Sequence, residues 1–132
     1  MLEAITAMAS VIGDPYLLML IAVTTVLGIV IGVLPGLGAT TGAALLLPFT
    51  LTMSPVNAIA VLATLYVSAT FAGSITAILI NTPGTSAAAA TTFDGFPLAQ
   101  RGEAGRALGI AVVSSTIGGI FSIIVLCLAA PL

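Results

Sequence analysis

The chain has 132 residues, 60% of them hydrophobic and 5% charged, with a formal net charge of -2. A soluble domain carries roughly 25% charged residues, so this composition excludes a globule kept in water by its own surface and indicates an integral membrane protein. With no histidine and a single cysteine, Cys127, an internal disulfide framework and a His/Cys metal site are excluded as well.

Met1 to Gly13 places Leu2, Ile5, Met8, Ala9 and Ile12 at roughly helical spacing. That is short for a span and predicts a helix lying at the interface (residues 1–13). No basic residue precedes its apolar part, so it does not read as a signal peptide. Gly13-Asp14-Pro15 ends it. Tyr16 to Leu34 (16–34) is uncharged and rich in Leu, Ile and Val. It is long enough to cross a hydrocarbon core of about 30 Å and is the first predicted span. Gly28 and Gly32, four apart on one face, allow a neighbouring helix to come close.

"PGLGATTGAALLLPFT" (35–50) follows. Pro35-Gly36 interrupts a helix, because proline removes a donor and glycine accepts unusual dihedrals. Ala39 to Leu47 is apolar but only half a span long, and Pro48 is expected to stop it. The stretch predicts a discontinuous or re-entrant segment. Ser54-Pro55 is a helix start, a capping hydroxyl before a proline at the first helical position. The second span, 55–80, is dotted with Asn57, Thr64, Tyr66, Ser68, Thr70, Ser74 and Thr76. Those side chains suit a helix packed on other helices or lining a polar cavity.

Residues 81–104 predict a second Pro-Gly break leading into a polar cytoplasmic loop, with Asp94-Gly95 as a turn. The last span is predicted at 107–128, with Ser114, Ser115, Thr116, Gly118 and Gly119 as a small-residue patch and Cys127 as a buried small hydrophobe. The apolar run stops without a polar tail, so the chain reads as the N-terminal piece of a longer protein. Arg101 and Arg106 put their loop in the cytoplasm by the positive-inside rule. The side of Met1 then depends on whether Ala39 to Leu47 crosses or turns back. The fold class is all-α, a polytopic membrane protein with Pro-Gly-interrupted transmembrane segments.

An enzyme is disfavoured, since a general base would have to be Glu3, Asp14, Asp94 or Glu103, and none has a charged partner at catalytic spacing within a span. "GLGATTG" lacks the spacing and the lysine of a phosphate-binding loop. Two arginines make no nucleic-acid patch. Two breaks of the same form remain. Gly36, Gly38, Thr40 and Thr41 belong to the first, and Asn81, Thr82, Pro83, Gly84, Thr85 and Ser86 to the second. Each is followed by helix-forming or small residues. The free N–H groups of a helix's first turn hold a carboxylate without lysine or arginine, and unwound carbonyls hold Na+. Secondary transporters build midplane sites this way. Ordinary turns between spans are the alternative at both breaks. Asp94 is a coupling or gating candidate, because an acid near membrane depth is costly unless it is used.

"GVLPGLGATTGAALLLPFT" (32–50) and "GSITAILINTPGTSAAAATTFDGFPLAQRGEAGRALGIA" (73–111) resemble the two signature stretches of the TctA family, the large membrane subunit of tripartite tricarboxylate transporters. Val67 to Ile75 departs from that pattern in having less glycine. The resemblance implies a subunit of the bacterial inner membrane that works with a small membrane subunit and a periplasmic substrate-binding protein. It also implies secondary uptake of a di- or tricarboxylate such as citrate, coupled to Na+ or H+. No cofactor beyond that ion is implied, and a second, related half of the site is expected in the longer protein. A non-transporting membrane subunit, or an unrelated secondary transporter of a neutral solute, stays open as an alternative.

Overall fold

The structure, a computed structural model, describes residues 13–129. The interfacial helix expected at 1–13 lies outside the described residues but for its last position. The described residues are helical, with no strand among them. Helix α1 is Pro15–Val33, α2 is Gly38–Thr50, α3 is Pro55–Ile80, α4 is Ala89–Gln100 and α5 is Ala104–Ala129, with a single 3-10 turn, Ser86–Ala88, ahead of α4. Helices α1, α3 and α5 are long and apolar enough to cross a membrane.

Local chemistry sets the starts of the first and third helices. Asp14 caps α1 by accepting a hydrogen bond from the Tyr16 N–H at 2.9 Å, and Pro15 stands in the first turn. Ser54 caps α3 by accepting from the Asn57 N–H at 3.4 Å, again with a proline behind it. At its other end α3 is closed by Asn81, whose left-handed backbone (φ 55°) lets its N–H donate to the Thr76 carbonyl.

The core is the seam between α1 and α3. Leu17, Thr24, Gly28 and Gly32 are the buried residues of α1, and Val61, Leu65, Ala69, Ala72 and Gly73 face them from α3. A Cβ on Gly28 would run into Ser68 and come within 2.9 Å of the Leu65 carbonyl oxygen. One on Gly32 would lie 2.7 Å from the Ala69 Cα. The two glycines therefore let the backbones touch, which is how helices associate where lipid removes the hydrophobic drive.

The same contacts fix direction. Gly28 meets Leu65 and Ser68, and Gly32 meets Ala69, so α1 and α3 run the same way. Helix α2 must then carry the chain back between them, and Gly42 packs beside Ile31 of α1 and Leu65 of α3 as it does so. At 13 residues α2 is about 20 Å long. The Leu51–Ser54 connector then leads from its end to the start of α3. Pro48 does not stop α2. The proline lies inside α2, where it forfeits one ladder bond, and the helix finishes two residues later at Thr50.

At the second break the chain folds back along α3. After Ile80 the chain dips back until the Gly84 N–H donates to the Gly73 carbonyl at 3.3 Å. Helix α4 then climbs out again, with Gly95 against Ile78. The polar loop expected over 81–104 is thus mostly helix, and Asp94-Gly95 lies within α4 and is not a turn. The alanine run 87–90 favours a helix start, and Ala88 and Gly95 give that helix a face to bury against α3. Helix α5 returns through the layer beside α3 and is exposed over almost all its length. Cys127, expected as a buried hydrophobe, is exposed because none of the described helices covers that part of α5.

Candidate functional site

The two breaks meet. A cavity of about 400 Å³ is lined by Gly36, Gly38, Thr40 and Thr41 from the first and by Pro83, Gly84, Thr85 and Ser86 from the second. Tyr66 and Thr70 of α3 complete its polar wall, with Leu37, Ala39 and Ala87 beside them. No lysine or arginine reaches it.

Both helices that leave this cavity start there. Helix α2 descends from Gly38 and α4 ascends through the Ser86–Ala88 turn, so two N-termini face one space from opposite directions. Neither start carries a side-chain cap, in contrast to the capped α1 and α3. First-turn N–H groups left uncapped are free to take another acceptor, and the helix dipole favours an anion at such an end.

The hydroxyls tell the same story. Thr25, Ser68, Thr70, Thr76 and Thr116 return their hydrogen bonds to a carbonyl three or four residues back on their own helices. Thr40, Thr41, Thr85 and Ser86 do not enter the side-chain hydrogen bonds of the described residues. The Thr85 Oγ1 is fully enclosed and has no partner. An enclosed hydroxyl without a partner is costly, and this one is packed against Gly73 of α3.

Three glycines hold the second break at this depth. A Cβ on Gly73 would lie 2.8 Å from both the backbone N and the Oγ1 of Thr85, and one on Gly84 would strike the Gly32 carbonyl oxygen and lie 2.9 Å from the Gly73 Cα. Gly32, Gly73 and Gly84 thus form a backbone-to-backbone junction of α1, α3 and the dip. In the first break glycine answers a different need, since Gly36 and Gly38 have φ of +90° and +52°.

Not every residue singled out in the sequence reaches the cavity. Asn81 and Thr82 are exposed at the top of the dip, where Asn81 serves as the helix terminus and the Thr82 hydroxyl turns to the Ile80 carbonyl at 3.2 Å. Asp94 is exposed and lines a separate cavity between α3, α4 and α5. Sequence reasoning did not single out Tyr66 and Thr70 as site residues. Their spacing of four, continued by Ser74, was the available signal that one face of α3 is polar.

The model of the tripartite tricarboxylate transporter TctA family matches residues 18–132. A relative from Agrobacterium vitis, described as an uncharacterized 52.8 kDa protein in the TAR-I ttuC' 3'region, is 46% identical over 109 residues, which is 83% of this chain and 22% of that protein. The chain therefore spans about a fifth of that relative's length. No solved structure is a significant match.

Proposed function

The chain belongs to the tripartite tricarboxylate transporter TctA family, and on that premise we propose that the cavity between its two breaks is half of the binding site for a di- or tricarboxylate such as citrate. The observation that carries this reading is the pair of uncapped helix N-termini facing one cavity that holds unspent hydroxyls and no cationic side chain. A carboxylate would accept from the first-turn N–H groups of α2 at Gly38 to Thr40, from those at Ser86 and Ala87, and, once its side chain rotates away from Gly73, from the Thr85 hydroxyl. A second half-site elsewhere in the longer protein would complete the enclosure, as in transporters built from paired discontinuous helices.

The working cycle follows from that chemistry. A periplasmic binding protein delivers the carboxylate to the membrane subunits, one of them a smaller partner, in the bacterial inner membrane. Arg101 and Arg106 mark the cytoplasmic face by the positive-inside rule. The Asp14 and Ser54 ends of α1 and α3 then face the periplasm, and the cavity lies nearer the cytoplasmic side. An anion entering a cell against its potential needs a cation to move with it, and Na+ or H+ is the coupling ion in this reading. Asp94 is the coupling candidate among the charged residues.

Thr85→Val in the full-length protein tests the carboxylate site. The hydroxyl has no partner in the fold, so its loss leaves membrane insertion and thermal stability close to wild type. Uptake of radiolabelled citrate falls about tenfold or more, the value of one hydrogen bond to a charged group. Wild-type uptake in Thr85→Val overturns the assignment of this cavity to the substrate.

A further inference from the structure

The two tyrosines of the chain stand in opposite settings. Tyr16 is in the first turn of α1, beside the capping Asp14, at the end of a span where an amphipathic ring belongs. Tyr66 lies near the middle of α3, about 17 Å along the axis from Pro55. A phenol halfway along a membrane span is costly unless its hydroxyl has a partner. Tyr66 is 53% exposed. It lines the cavity between the breaks and also a neighbouring one of about 330 Å³ between α3 and α5. With Thr70 and Ala87 it forms the wall that the two cavities share.

The hydroxyls around the first cavity differ in what they have left to give. Thr70 donates its proton to the Tyr66 carbonyl at 2.7 Å, whereas the Tyr66 hydroxyl enters none of the hydrogen bonds of the described residues. Thr40 and Thr41 belong to the start of α2, and Thr85 and Ser86 to the turn ahead of α4. The N–H groups at those starts only donate, which suits carboxylate oxygens, since these only accept. An alcohol on the substrate has a proton of its own and needs an acceptor for it. No aspartate or glutamate lines the cavity to serve. The Tyr66 phenol belongs to neither helix start and keeps both its proton and its lone pairs, so it can accept from an alcohol as well as donate to one.

We propose that Tyr66 is a specificity-determining residue of this cavity: its hydroxyl pairs with an alcohol group of the substrate, so that the site selects hydroxycarboxylates over the same acids without the hydroxyl. The inference rests on the carboxylate reading and adds to it a contact from α3, beside those from α2 and the second break. The division of labour follows from the chemistry. The helix starts hold carboxylates and set how tightly any such acid binds. The phenol discriminates among acids of equal charge, because an analogue without the alcohol leaves it desolvated and unpaired.

The test measures binding of two matched pairs, citrate with tricarballylate and malate with succinate, to the purified full-length protein in detergent by titration calorimetry. Within each pair the acids differ by the alcohol alone. Wild type binds the hydroxy acid of at least one pair about tenfold more tightly than its partner. Tyr66→Phe keeps the ring and the ligand-free Tm. It weakens the hydroxy acid about tenfold and leaves the partner unchanged, so the ratio falls to about one. Tyr66→Leu flattens the same ratio whatever it does to overall affinity. Thr85→Val weakens both members together and keeps the ratio. A Tyr66→Phe protein that retains the wild-type ratio overturns the inference, since a role in packing alone moves both acids equally. A wild type that binds both members of each pair equally also overturns it, and leaves the carboxylate reading standing. A wild type that binds none of the four acids sinks that reading, and this inference with it.

Discussion

Gly36 and Gly38 sit in the first break at φ of +90° and +52°, and nothing lies within 4 Å of where a Cβ would stand on either. Gly84 in the second break has the opposite profile. Its backbone needs no left-handed angle, but the Gly32 carbonyl and the Gly73 Cα occupy the place of its Cβ. Both breaks deliver a helix N-terminus to one cavity. The first does so by dihedral demand, at a surface free to adjust, and the second by a clamp of three backbones in the protein's tightest seam. The consequence is mechanical. The α2 side of the cavity has room to move, whereas the Thr85 side is anchored to α1 and α3.

Gly84→Ala gives the largest expected effect. The added methyl meets backbone on two helices, and neither backbone can step aside by a rotamer change. Overpacking of this kind costs about 1–3 kcal/mol, and here the lowest-cost relief is for the dip to lift out of the seam. Thermal unfolding of the full-length protein in detergent shows a lower Tm, and citrate uptake is lost. Gly36→Ala comes next. It adds strain of roughly 1–2 kcal/mol from the positive φ alone, and Gly36→Asn recovers part of it because asparagine tolerates that region. If Gly36→Ala proved as damaging to uptake as Gly84→Ala, the contrast between a free break and a clamped one would fail.

Much of this arrangement was legible in the sequence, and what was missed has a physical cause. Composition and run length pointed to helices in a membrane, because a chain uncharged from Pro15 to Phe93 must satisfy its backbone internally and its apolar runs have the length of helical spans, not of barrel strands. Pro35-Gly36 and Pro83-Gly84 announced the breaks, and Gly28 with Gly32 announced the close approach. The sequence pattern could not say which break turns back. That depends on the parallel run of α1 and α3, which is a property of the packed seam and not of residues 35–50. Asp94-Gly95 read as a turn from its dipeptide. The neighbouring alanines and the fit of Gly95 on Ile78 outweigh that local preference, as tertiary context commonly does. The same substitution of tertiary for local information separates Thr85 from Thr82. Three residues apart in one polar string, one is enclosed against Gly73 and the other bonds its own strand of backbone.

Asn81 carries the smallest effect and the sharpest question, because it stands in the second break yet behaves like a residue of the first. Its φ of 55° closes α3, and its N–H reaches the Thr76 carbonyl. No part of it lines the cavity. If backbone angle is its whole contribution, Asn81→Gly leaves both Tm and citrate uptake near wild type, within a few tenths of a kcal/mol. Asn81→Ala then lowers stability by about 1 kcal/mol while the protein that remains folded transports normally. Loss of uptake in Asn81→Gly at unchanged Tm would mean that the amide itself meets the substrate. The binding surface would then extend up the dip towards Arg101, and the clamp at Gly84 would mark its lower edge and not its centre.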